Sequence, residues 1–198
     1  MTLNKTFRVA LALTALAALI LPFAADAQDL HPSRRPSPMA MARTDVGDAH
    51  VYVTYSRPYK RGRDNIFGTA DSGALVPFDA VWRTGANEAT EITVTGDVTV
   101  GGKALAAGTY SLFTVPGPES WTVHFNSELG LSGTGMFVDG QFTAVDLPAS
   151  DVLVHTAEVG TLEEEVDQLT IAFEGVEGGA HMCLRWITTE VCVPFEVE

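Results

Sequence analysis

From Trp121 to Asn126 the chain alternates, with Trp121, Val123 and Phe125 separated by Thr122, His124 and Asn126. A period of two sets the large apolar side chains on one face of an extended strand, whereas a helix would scatter them around its circumference. The pattern recurs in His50 to Tyr55, where Val51, Val53 and Tyr55 share a face. Glu91 to Val100 reads as two short strands around Gly96-Asp97. Gly101-Gly102 follows as a tight turn, because paired glycines accept positive φ without steric cost. The run "KALAAGTYSLFTVP" is then strand, glycine-bearing turn and strand, stopped by Pro116 and Pro118. No segment carries a strong 3.6-residue period, so these alternations limit the chain to sheet.

Past the glycine-rich loop from Asn126 to Gly135, weaker strands are expected at Met136 to Val138 and Phe142 to Leu147. Further strands follow at Val152 to Val159 and Leu169 to Phe173. Glu163-Glu164-Glu165 reads as a solvated loop. Met182 to Ile187 and Val191 to Val197 make a closing hairpin. The expected fold is all-β: a single β-sandwich of about ten short strands, with the jelly roll among its candidate topologies.

Ahead of the sandwich, residues 1–27 read as a secretory signal. Lys5 and Arg8 form the basic start, Val9 to Leu21 the apolar run, and Ala25-Asp26-Ala27 the small-x-small cleavage site. The expected product is exported, to the periplasm or beyond, with no membrane span. Residues 28–43, with Pro32, Pro36 and Pro38, are expected as an extended arm, and residues 44–198 as the sandwich.

Removing Lys5, Arg8 and Asp26 from the 12 basic and 25 acidic residues leaves 10 against 24, a net charge of −14. That balance argues against a nucleic-acid partner, which needs clustered Lys and Arg. After Lys103 the only basic residue is Arg185. Solubility, a salty habitat and a cationic partner would each account for such a surface. Cys183 and Cys192 are the only cysteines, and in an exported chain two cysteines invite a disulfide. A two-residue turn at Thr188-Thr189 would set them diagonally across the closing hairpin, near the upper limit of bridging distance; a shift of register would change this.

Against this acidic background the cations gather in two motifs. "YSRPYKRGR" holds Tyr55, Arg57, Tyr59, Lys60, Arg61 and Arg63, and "WRTGANE" holds Trp82, Arg83, Asn87 and Glu88. Guanidinium forks bind carboxylate or phosphate through parallel hydrogen bonds, and Tyr or Trp adds a stacking face. The candidate ligand site is therefore Tyr55, Arg57, Arg63, Trp82, Arg83, Asn87 and Glu88. In it Arg57 and Arg83 hold an anion, Glu88 orients one of them, and Tyr55 or Trp82 forms the wall. The same residues would equally serve as a structural cluster, with an arginine paired to Glu88 and Asn87 satisfying its own turn.

Several longer pieces of the chain resemble the bacterial family catalogued as domain of unknown function 2911. They are "RPSP" (Arg35 to Pro38), "YSRPYKRGRDNIFG" (Tyr55 to Gly68), "LVPFDAVWRTGANEATEI" (Leu75 to Ile92), "GGKALAAGTYSLFTVPG" (Gly101 to Gly117) and "WTVHFN" (Trp121 to Asn126). The resemblance implies an exported β-rich domain, joined in some relatives to helical repeats, with no established activity and no catalytic residues to carry over.

The functional expectation is a non-catalytic protein that binds a small anionic or carbohydrate ligand, or a cell-envelope partner, through the Arg/Asn/Glu cluster. No cofactor is called for. The alternative is a hydrolase-like enzyme with Glu88 as general base and a metal held by histidine. His50, His124, His155 and His181 are scattered, however, and none forms an HxH or HxxxH pair.

Overall fold

The computed structural model describes residues 34–197, and the expected signal segment and the start of the arm lie outside them. The fold is all-β and sandwich-like, with no closed barrel. Its strands are β1 (Met39–Val46), β2 (Ala49–Ser56), β3 (Phe67–Gly68), β4 (Val76–Pro77), β5 (Thr90–Val94), β6 (Val98–Val100), β7 (Lys103–Leu105), β8 (Gly108–Val115), β9 (Ser120–Asn126), β10 (Gly135–Val138), β11 (Gln141–Ala144), β12 (Asp151–Val176) and β13 (Gly179–Val197). One helical turn, Leu147–Ser150, precedes β12. The main sheet runs β1-β2-β5-β8-β9-β12-β13-β6-β7. It is a meander with one excursion, in which β6 and β7 leave β5 for the far edge beside β13.

The alternating segments behave as their period requires. Val51, Val53, Ile92, Val123 and Phe125 are fully buried on the inner face. Gly101 and Gly102 adopt φ of 55° and 76° in the turn where Val100 pairs with Lys103. Phe195 of β13 meets Phe125 of β9 edge-on, ring centroids 6.1 Å apart, across the core. A second, smaller core of Ala89, Phe113, Leu131 and Leu147 lies where the segment after β9 folds back over the sheet.

Three expectations need correction. Residues 39–43 belong to β1, not to a free arm, and pair with β2 from Met39↔Ser56 to Arg43↔Tyr52. Glu163-Glu164-Glu165 is exposed, yet it lies within β12, where the pairing with β13 shifts register between Thr161 and Thr170. The last two long strands replace several short ones.

β13 also doubles back on itself. Nine residues of straight strand would separate Cys183 from Cys192 by roughly 30 Å, but their Cα atoms are 4.1 Å apart and the sulfurs are bonded. The Val197 amide donates to the Gly178 carbonyl at 3.2 Å, and Ile187 turns at φ 51°. The closing hairpin therefore exists, one step out of the expected register, with the cysteines directly opposed instead of diagonal.

Candidate functional site: an arginine-lined cavity

The chain between β2 and β5, together with Pro36, Ser37 and Trp186, lines a cavity of about 240 Å³. Its cationic lining is Arg61, Arg63 and Arg83, its aromatic lining Tyr59, Trp82 and Trp186, and among the described residues no Asp or Glu lines it. Both tryptophans are almost wholly buried and belong to a ring cluster with Phe67 and Trp121. Trp82 and Trp186 lie nearly parallel, at 19°, with centroids 6.1 Å apart. Their indole N–H groups are satisfied by the Gly85 and Asp167 carbonyls, at 3.0 and 3.1 Å.

Arg83 is held by the backbone around it. Trp82 and Thr114 exchange amide hydrogen bonds of 2.7 and 2.9 Å, tying the loop to β8. Thr84 then turns at φ 57° and Asn87 at 59°. Asn tolerates this region, but a β-branched residue there is a true outlier. The Thr84 carbonyl accepts from Thr90 Oγ1 at 2.9 Å, and the Thr84 and Thr114 hydroxyls lie 3.2 Å apart, which holds the turn. A Cβ on Gly85 would sit 2.8 Å from the Ser56 carbonyl oxygen, so this position requires glycine. The guanidinium emerging from the turn is half-buried. Its Nε is fully enclosed with no hydrogen-bond partner, and it forms no ion pair among the described residues. Burial lowers the Arg83 pKa, with no acid to offset it, and the group stays protonated because a guanidinium does not titrate in proteins.

Arg61 and Arg63 are exposed and only partly engaged. Arg61 donates to the Pro36 carbonyl and Arg63 to the Tyr59 carbonyl, both at 2.8 Å. The acids nearest this motif are turned to Lys60, which contacts Asp64 at 3.4 Å and Glu165 at 2.9 Å.

Of the seven residues proposed from sequence, Arg63, Trp82 and Arg83 line this cavity; the other four do not. Arg57 is half-buried and donates from Nε to the Leu169 carbonyl at 2.9 Å and from a terminal nitrogen to Thr170 Oγ1 at 2.7 Å. It stitches the end of β2 to β12. Tyr55 does the same deeper down, its hydroxyl accepting from the Ile171 amide at 2.8 Å and facing the Ile171 carbonyl at 3.2 Å. Burial raises the Tyr55 pKa against the opposing pull of the Ile171 hydrogen bond and Arg57.

Glu88 pairs with Arg35, not with Arg57 or Arg83, and Asn87 donates to the Ser37 carbonyl at 3.1 Å. Together they fasten the segment leading into β1 along the cavity rim, where Pro36 and Ser37 sit. Partial burial opposes charge on Glu88, but the Arg35 hydrogen bond and a backbone amide outweigh it and leave the pKa below its ordinary 4.5. A carboxylate so engaged is a poor general base.

Among the described residues one trio of metal-ligating side chains brings its donor atoms within 4.8 Å: Cys183, Glu190 and Cys192. Both thiols are spent in the disulfide, and no histidine belongs to the trio. His124 is instead engaged at both ring nitrogens, by Asp151 at 2.8 Å and Thr122 at 3.0 Å.

Residues 37–195 match the profile of the family described as protein of unknown function DUF2911, and the chain belongs to that family. No curated protein and no solved structure matches it. No helix among the described residues is long and apolar enough to cross a membrane.

Proposed function

We propose that this DUF2911 member is a non-catalytic binding protein whose cavity takes a small anionic ligand on Arg61, Arg63 and Arg83. The observation that carries this reading is Arg83. A half-buried guanidinium with a sealed, unpartnered Nε is costly to keep unless something compensates it. Among the described residues the lining offers no carboxylate to do so, and the protein around it is strongly acidic. An incoming anion would meet two exposed cations and a half-buried one. Export through residues 1–27 belongs to the same proposal, since a secreted receptor of this kind meets its ligand outside the cytoplasm.

Thermal melting of the mature chain with and without benzoate or phenyl phosphate tests the reading. A ligand at a hundredfold excess over Kd stabilises by about 2.7 kcal/mol, or roughly 5–10 °C for a domain of this size. Arg83→Gln should abolish that rise and leave the unliganded Tm unchanged. A collapse of the unliganded Tm in Arg83→Gln would instead make Arg83 scaffold and overturn the proposal. Rising ionic strength should weaken binding, because Arg61 and Arg63 are open to screening.

A further inference from the structure

We infer that the ligand is a small acid with an apolar body about the size of a single ring, and not a sugar. The inference rests on the anion-binding reading above and concerns what the rest of the cavity can recognise.

A sugar hydroxyl must donate its proton as well as accept one, so a sugar site has to supply acceptors. This cavity has very few. Among the described residues its lining contains no Asp, Glu, Asn or Gln, and only the Ser37 and Tyr59 hydroxyls are side-chain acceptors. Several of the carbonyls around it already accept a hydrogen bond. Pro36 accepts from Arg61, Ser37 from Asn87, Tyr59 from Arg63, and Gly85 from the Trp82 indole. Pro58 accepts from the Leu169 amide at 2.9 Å.

The donors are in surplus. A guanidinium offers five N–H groups. Among the described residues Arg61 and Arg63 each donate one hydrogen bond and Arg83 donates none. A carboxylate or phosphate group accepts and, when ionised, need not donate, so it matches this imbalance.

The remaining wall is apolar. Pro36, Pro58, Leu75 and Val76 line it beside the two tryptophans, and Leu75 is about half exposed, at 47%. A volume of about 240 Å³ equals roughly eight waters at ~30 Å³ each. It falls below the usual range for larger cofactors. A ring bearing one acidic group suits this space, with the head on Arg83 and the body against the tryptophans and Leu75.

Calorimetry on the mature, disulfide-bonded chain distinguishes the classes, using benzoate, phenyl phosphate, acetate, inorganic phosphate, glucuronate and glucose as probes. Benzoate or phenyl phosphate should bind about tenfold or more tighter than acetate or inorganic phosphate respectively, the gain expected from burying a ring. Which aryl probe binds more tightly identifies the head group as carboxylate or phosphate. Glucuronate should do no better than acetate, and glucose should not bind. Leu75→Asn, at a half-exposed position, should narrow the benzoate-to-acetate ratio. Glucuronate matching or exceeding benzoate would overturn this inference while leaving anion binding standing. Failure of every anion to bind would bring down both.

Discussion

Arg57 and Arg83 stand in similarly polar motifs, each within two residues of an aromatic side chain, yet they end in opposite situations. At the end of β2, Arg57 finds the Leu169 carbonyl and the Thr170 hydroxyl of β12 and becomes part of the scaffold. At the head of the 83–88 turn, Arg83 finds no hydrogen-bond or ion-pair partner among the described residues, and its Nε is enclosed beside an open cavity. The residue type is the same; what differs is the supply of acceptors opposite it. A guanidinium facing a strand's unspent carbonyls is consumed by the fold, while one turned to a wall with few free acceptors is left without a partner in it.

The largest effect should come from the scaffold side. Arg57→Ala removes two hydrogen bonds from a charged donor and is expected to cost about 2–3 kcal/mol. In urea denaturation the midpoint should fall while the surviving folded protein still binds benzoate. An unchanged midpoint would erase the distinction between the two arginines. Tyr55→Phe strands the buried Ile171 amide, 2.8 Å from the lost hydroxyl, and should cost about 1–3 kcal/mol, again with binding preserved. For Arg83→Gln, urea denaturation without ligand should show a loss of no more than about 0.5 kcal/mol, because no hydrogen bond or ion pair with a described residue is broken. A loss as large as that of Arg57→Ala would make the two arginines equivalent.

The smallest effect belongs to the rim. Glu88→Gln weakens the bond to Arg35, which is half-exposed on the Glu88 side, so the loss at neutral pH should stay below about 1 kcal/mol. Its pH dependence is more telling. The folded pKa of Glu88 is depressed, so its contribution is present above the ordinary 4.5 and is lost as pH falls through the lower folded value. Wild type and Glu88→Gln should therefore differ in Tm at pH 7 and converge at strongly acidic pH. A difference that grows on acidification would mean that the Arg35 pairing does not govern this carboxylate.

Much of the sheet could be read from alternation, because Val51, Val53, Trp121, Val123 and Phe125 sit on strands with one buried face. β1 escaped because its pattern is inverted. Met39, Met41 and Arg43 face out at the sheet edge, while Ala40, Ala42 and Thr44 turn inward, so residue size and burial run against each other. At the site, the unusual clustering of Arg with Trp in an acidic chain pointed to Arg63, Trp82 and Arg83. It could not separate them from Arg57 and Tyr55, whose partners lie more than a hundred residues away on β12. Glu88 and Asn87 had a similar problem, since Arg35 and Ser37 sit in what reads as a loose arm. Trp186 carried no local signal at all: it enters the cavity only because β13 folds over.

That fold-over has a chemical consequence. The Cys183–Cys192 bond closes a small ring of chain, and Trp186, which floors the cavity, lies inside that ring. Where surroundings keep thiols apart, the indole is held by neighbours alone; where they oxidise them, it is tethered covalently. The anchoring of the cavity floor thus depends on the redox state of the surroundings.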